Sequence, residues 1–174
     1  MSGKNLQPQL KIGIMGGTFN PIHYGHLIVA EDVREKCCLD KVLFIPSGQP
    51  PHKPDSEVIS AEHRYEMVRL AVESNPFFEA SQIEVERSGL TYSINTLQEL
   101  KQIYKDASIY FIIGADVVGE LVTWKEYERV FKMCEFIAVL RPGYDNSAFE
   151  SAVEFNERNL GARIWKVQSR LVDI

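Results

Sequence analysis

The run Gly16-Gly17-Thr18-Phe19-Asn20-Pro21-Ile22-His23-Tyr24-Gly25-His26 joins three features useful to phosphate chemistry. It follows the apolar stretch Leu10–Met15 and precedes a helix-like segment, so a glycine turn is predicted to deliver two histidines to a helix N-terminus. Such a terminus exposes unpaired N–H groups and the positive end of the helix dipole, and glycine removes the Cβ atoms that would hold a polyphosphate away. His23 and His26 lie three residues apart, so within one helical turn they project from one face and can both donate to one polyphosphate. The plainer alternative is two solvated histidines at a helix start.

Other chemistries find less support in the same residues. Neither histidine has a serine or cysteine motif beside it, which leaves no covalent nucleophile. His-x-x-His is not the spacing that sets two metal ligands one full turn apart, and no protein metal ligand is assigned. The glycines lack the Lys-Ser/Thr ending of a Walker A loop and do not form G-x-G-x-x-G, so nucleotide hydrolysis and dinucleotide redox chemistry lose ground.

Positioning these groups requires a scaffold, and the chain supplies a regular alternation. Leu10–Met15, Lys41–Ile45, Phe78–Val85, Ser108–Ile113, Phe136–Leu140 and Ala162–Val167 read as short apolar strands, with helical patterns at 26–37, 61–73 and 94–104. This order predicts an α/β fold: a Rossmann-like open parallel sheet with helices on both faces. Ligands of such sheets sit beyond the carboxyl ends of the strands. The segments after predicted strands are therefore the candidate site: the glycine turn, Pro46–Pro54, Glu86–Tyr92 and Gly114-Ala115-Asp116.

Length and composition narrow the class. The 174 residues, 45% apolar and 25% charged, suit a single soluble domain with a substantial core, 1–174. The net charge of −5 argues against a nucleic-acid partner, so attraction for an anion must be local. Three cysteines, Cys37, Cys38 and Cys134, make neither a disulfide scaffold nor a zinc spacing, and a reduced, cytoplasmic setting is expected. No apolar run approaches the roughly 18 residues of a spanning helix, so no membrane partner is expected. A homo-oligomer is left open.

The signature Gly-Gly-x-Phe-Asn-Pro-x-His-x-Gly-His resembles that of the bacterial nicotinate-mononucleotide adenylyltransferases, within the H-x-G-H nucleotidyltransferases. The resemblance continues through Pro50-Pro51-His52-Lys53, His63-Arg64-x-x-Met67, Glu86-Arg87-Ser88-Gly89-x-Thr91-Tyr92-Ser93, Ile113-Gly114-Ala115-Asp116 with Leu121 and Trp124, and Arg141-Pro142-Gly143. It implies transfer of AMP from ATP to nicotinate mononucleotide, releasing pyrophosphate, with Mg2+ carried mainly on the ATP phosphates. Its implied ATP residues are Gly16, Gly17, Thr18, Phe19, His23, His26, Gly114, Asp116 and Arg141, with His23 and His26 catalytic. Its implied acceptor residues are Lys53, Thr91, Tyr92, Asp116 and Trp124.

Several of these residues have ordinary alternatives. Lys53 would serve equally as a surface lysine, Asp116 as a helix cap, and Tyr92 or Trp124 as packing, the role read for Trp165. Arg87 could pair with Glu84 or Glu86. The family continues past its last strand into a Ser/Thr-rich motif with an arginine, whereas this sequence stops at Asp173-Ile174. Without that opposing wall, weak ATP binding and slow turnover are expected. Two further functions stay open: a related adenylyl- or cytidylyltransferase with another phosphate acceptor, and a non-catalytic nucleotide-binding module.

Replacing His26 with Ala is expected to lower turnover about 10²- to 10³-fold, the scale of one lost preorganised donor. Unchanged turnover in a steady-state assay would remove its catalytic role.

Overall fold

The computed structural model describes residues 9–49, 58–143 and 146–170. Six parallel strands form one sheet in the order β3-β2-β1-β4-β5-β6: β1 (Lys11–Gly17), β2 (Lys41–Pro46), β3 (Phe78–Ala80), β4 (Ser108–Gly114), β5 (Glu135–Leu140) and β6 (Ile164–Gln168). Between them run α1 (Tyr24–Cys37), α2 (Ala61–Val72), α3 (Ser93–Ile103), a 3₁₀ helix (Ala115–Thr123), α4 (Tyr127–Met133) and α5 (Asn146–Leu160). β1 lies between β2 and β4: the chain runs outward from it through β2 to β3 and then crosses back to β4 on its other side. That reversal of strand order is the switch point where α/β sheets open a ligand crevice.

Both faces of the sheet are covered, which explains why its strands are apolar almost continuously. Ile12, Ile14, Leu43, Ile45, Phe111, Phe136 and Ala138 pack with α3, α4, α5 and the 3₁₀ helix. The alternate residues, Met15, Val42, Phe44, Tyr110, Ile112, Ile137 and Val139, pack with Ala30 and Val33 of α1 and Val68 and Val72 of α2. The period of two along each strand thus feeds two separate cores.

Three departures from the sequence reading have local causes. Gly16 and Gly17 pair with Ile45 and Pro46 and so complete β1, and the turn begins at Thr18. β3 ends at Ala80 instead of Val85, because the Ser81 hydroxyl accepts the Ile83 N–H at 3.4 Å and turns the chain out of the sheet. Trp165 lies on edge strand β6, half-exposed, with its Nε1–H donated to Glu135 at 2.7 Å, and is not a core residue.

Polar clamps tie the periphery down. Buried Asp32 of α1 accepts the Arg170 N–H at 3.1 Å and pairs with Lys36, whose ammonium also reaches the Gln168 carbonyl at 2.6 Å. The exit of β6 is thereby fixed to the helix that carries the histidines. On the opposite face, buried Asn156 of α5 donates to the Val118 carbonyl of the 3₁₀ helix at 3.1 Å. Asn156→Ala would strand that carbonyl and is expected to lower unfolding free energy by about 1–3 kcal/mol in urea titration. An unchanged midpoint and slope would show the clamp to be dispensable.

Candidate functional site

Side chains converge at the carboxyl ends of β1, β4 and β5. The loop leaving β1 is held in a conformation few residues adopt: Phe19 has a φ of 48° yet is buried. Neither Gly16 nor Gly17 takes a positive φ, so the left-handed step falls on a phenylalanine, a strain that neighbouring contacts must offset. Its ring lies across Gly17, where an added Cβ would stand 3.5 Å from the ring, and meets the His26 ring edge-on at 5.0 Å between centroids. The Phe19 ring thus packs between the glycine strand end and His26.

His23 and His26 form a reciprocal start to α1. His23 is the N-cap in extended backbone, its C=O accepts the His26 N–H at 3.0 Å, and its own N–H donates to His26 Nδ1 at 3.2 Å. The two rings stack with centroids 3.9 Å apart. An Nδ1 that accepts a backbone N–H carries no proton, so the neutral ring bears its hydrogen on Nε2 and is a donor there. Burial, followed by the charges of His23 and Arg141, lowers the His26 pKa to about 4. The site thus offers an uncharged donor at neutral pH, next to the Arg141 cation.

Asp116 and Arg141 share a cavity of about 190 Å³ with Ala115 and Val139, between the ends of β4 and β5. The capping alternative for Asp116 does not hold. The 3₁₀ helix begins at Ala115 with Gly114 as N-cap, so Asp116 lies within its first turn and not at the cap position. Its carboxylate folds back over Gly114 instead, since a Cβ on Gly114 would lie 2.4 Å from Asp116 Oδ1. Gly114 is thus the residue that lets this carboxylate stand at the strand end.

The other expected residues each have structural partners of their own. Trp124 is half-buried and meets Phe111 and Phe136 edge-on at 5.3 and 6.0 Å, while Phe111 also flanks Gly16. Tyr92 is the N-cap of α3, its ring beneath the Lys125 ammonium at 4.3 Å. Buried Thr91 turns its N–H and hydroxyl to the Gln49 carbonyl, each at 3.4 Å. Arg87 pairs with Glu99 at 2.6 Å and donates to Thr96, not to Glu84 or Glu86; Thr96 in turn donates to Glu84 at 2.6 Å. Lys53 and the rest of the proline loop lie outside the described residues.

Two cations were given no role by the sequence: Lys125, and Arg64, which appeared only within the motif His63-Arg64-x-x-Met67. Lys125 follows Trp124 and looked like any surface lysine. Arg64 is 1% exposed, and its guanidinium donates to the carbonyls of Ile59 at 2.9 Å, Thr18 at 2.7 Å and Gly48 at 2.9 Å. Its signal was present: Arg64 shares a buried helix face with Val68 and Val72 at intervals of four.

A parallel sheet opening at its switch point, with a neutral imidazole donor, a guanidinium and a carboxylate at adjacent strand ends, defines a nucleotide-binding α/β protein of the phosphate-cradling kind. Residues 14–173 match the cytidylyltransferase-like family. A protein of Thermoanaerobacter sp. (strain X514) named "Probable nicotinate-nucleotide adenylyltransferase" is 48% identical over 163 residues, 93% of this chain and 77% of the relative. One of the same name from Geotalea daltonii is 51% identical, covering 95% of this chain and 83% of the relative. In structure, the nicotinic acid mononucleotide adenylyltransferase of Plasmodium falciparum complexed with NaAD superposes with a TM-score of 0.76 at 18% identity, over 95% of this chain and 78% of that one, and shares the fold. The chain belongs to the nicotinate-nucleotide adenylyltransferase family of cytidylyltransferase-like proteins.

The depressed His26 pKa has a definite sign for stability. The folded state favours the neutral ring, so this contribution is complete above the unfolded value of 6.5 and is lost as pH falls from 6.5 through about 4. A proton NMR titration of the free protein is expected to give a His26 midpoint near 4. A midpoint at the ordinary value would mean that the ring is solvated and the capping pair open.

Proposed function

We propose that this protein transfers AMP from ATP to nicotinate mononucleotide, forming nicotinate adenine dinucleotide and pyrophosphate. An oxygen of the acceptor's 5′-phosphate attacks the α-phosphorus of ATP, and the bond from that phosphorus to the bridging oxygen of the β-phosphate breaks. The substrate supplies the nucleophile, so the protein has to align two polyanions and stabilise the charge that shifts to the leaving pyrophosphate.

The observation that carries this reading is the fixed His26 tautomer. With Nδ1 engaged by the His23 N–H, the Nε2–H is a preoriented donor to a phosphate oxygen and neither takes nor gives a proton. His23 and Arg141 add donors beside it, and Gly16, Gly17, Thr18 and Phe19 provide the backbone of the ATP loop. Gly114 and Asp116 contribute the ribose side, while Thr91, Tyr92 and Trp124, with Lys53, form the acceptor wall.

Magnesium belongs to the substrate in this scheme. Among the described residues no group of three or more His, Cys, Asp or Glu side chains could hold a metal. A single carboxylate such as Asp116 suits an ion that keeps its waters and rides on phosphates, where it neutralises their charge. Among the described residues no helix is long and apolar enough to cross a membrane. The three free thiols Cys37, Cys38 and Cys134 suit a reduced, cytoplasmic setting.

Pyrophosphate release from MgATP, measured in parallel with the acid mononucleotide, its amide and phosphopantetheine, tests the assignment. The highest kcat/KM is expected for nicotinate mononucleotide. Preference for the amide would overturn the acceptor, and binding of both substrates without product would leave a nucleotide-binding module.

A further inference from the structure

Arg64 is among the largest fully buried side chains of the described residues, and among these no carboxylate lies within 4.0 Å of its guanidinium. A buried cation is costly unless its donors are met, and among the described residues the hydrogen bonds of this one go to three backbone carbonyls. The three carbonyls come from three different segments: Thr18 after β1, Gly48 after β2, and Ile59 just before α2. The rigid fork of a guanidinium can hold three such acceptors at fixed angles, which the point-like ammonium of lysine cannot reproduce.

We propose that Arg64 is a positioning residue that sets the ATP loop and the acceptor wall relative to each other, a role that rests on the adenylyl-transfer reading above. Peptide planarity carries the first half of the connection. With the Thr18 carbonyl turned to Arg64, the N–H of the same trans peptide, that of Phe19, points the opposite way, away from the guanidinium. This orients the peptide that enters the left-handed Phe19, whose ring in turn packs on His26. The guanidinium therefore opposes relaxation of the one backbone step in this loop that a non-glycine residue resists.

The second half runs through Gly48. Its carbonyl is held by Arg64, and the next carbonyl, that of Gln49, accepts both the N–H and the hydroxyl of Thr91, adjacent to Tyr92. Gly48 is locked from the other side as well, because a Cβ there would lie 2.2 Å from the Glu84 carbonyl oxygen. One buried side chain thus holds the ATP loop directly at Thr18 and reaches the acceptor side through Gly48, Gln49 and the Gln49–Thr91 hydrogen bonds.

The test compares Arg64→Lys and Arg64→Gln with Val72→Ala, which removes buried apolar volume from the same helix and leaves the guanidinium contacts in place. Circular dichroism establishes the temperature range in which each variant is folded, and kinetics are measured there. Both Arg64 variants are expected to lose about 10²-fold in kcat, the scale of a misalignment near 1 Å, while Val72→Ala keeps its kcat. In both Arg64 variants the His26 ring is expected to titrate closer to 6.5 than in the wild type, through loosening of the Phe19 contact. Wild-type kcat and titration in a folded Arg64→Lys, or an equal loss of kcat in Val72→Ala, would overturn the proposal.

A measurement on the unaltered protein guards against variants that do not fold. Saturating MgATP alone is expected to move the amide NMR signals of Gln49 and Thr91 together with that of Phe19. A response confined to 17–26 would also overturn the coupling. If the wild type makes no dinucleotide, the adenylyl-transfer reading fails, while the substrate-free His26 titration still reports whether Arg64 organises the loop.

Discussion

Everything at the site depends on β1 being hydrogen-bonded in parallel on both sides, to β2 through Ile12–Gly17 and to β4 through Lys11–Ile14. Parallel registers bring the carboxyl ends of neighbouring strands to one edge of the sheet. Gly17, Gly114 and Leu140 end their strands on that edge, which is how residues more than a hundred positions apart come to lie at one candidate site. The same pairing requires both faces of β1 to be buried. Gly13 meets this at the tightest point, where an added Cβ would lie 2.8 Å from Leu39 Cδ1.

Electrostatics at this edge is a matter of placement. A chain with a net charge of −5 cannot attract a polyanion through its overall field, and one of its two signature histidines is held uncharged. What replaces net charge is orientation: a fixed imidazole N–H, the exposed Arg141, and backbone turned outward by a guanidinium below it. Preoriented dipoles lose little on binding, because they need not reorganise when charge arrives. The design also spares the unliganded site the repulsion that several neighbouring cations would impose.

The sequence was most legible where pattern and physics coincide. Six apolar runs became six strands, and the helical spacing of 26–37, 61–73 and 94–104 found α1, α2 and α3 to within a few residues. The glycine signature lies at the carboxyl end of β1, as its place after the first apolar run implied. What stayed hidden was decided by tertiary contacts. Nothing in Phe78–Val85 announces that Ser81 will use its hydroxyl to leave the sheet, and α5 lies in a polar stretch whose buried members, Phe149, Val153 and Asn156, are spaced helically but sparsely. Arg64 was hidden by its residue type, since arginines are seldom interior. Burial of Arg64 follows from carbonyls that three separate loops present, and no local window contains all three.

The two tryptophans occupy very different surroundings. Trp124 is wedged against Phe111 and Phe136, and Phe111 in turn flanks Gly16, while Trp165 stands half-exposed on the far edge strand with its indole N–H on Glu135. Indole emission shifts to the red with solvent contact, and soluble quenchers reach only accessible rings. The protein therefore carries two separable fluorophores, a half-buried one packed on Phe111 and Phe136 and a wet one on the edge strand. Quenching Trp165 would leave Trp124 as a built-in optical gauge of occupancy, with no label attached.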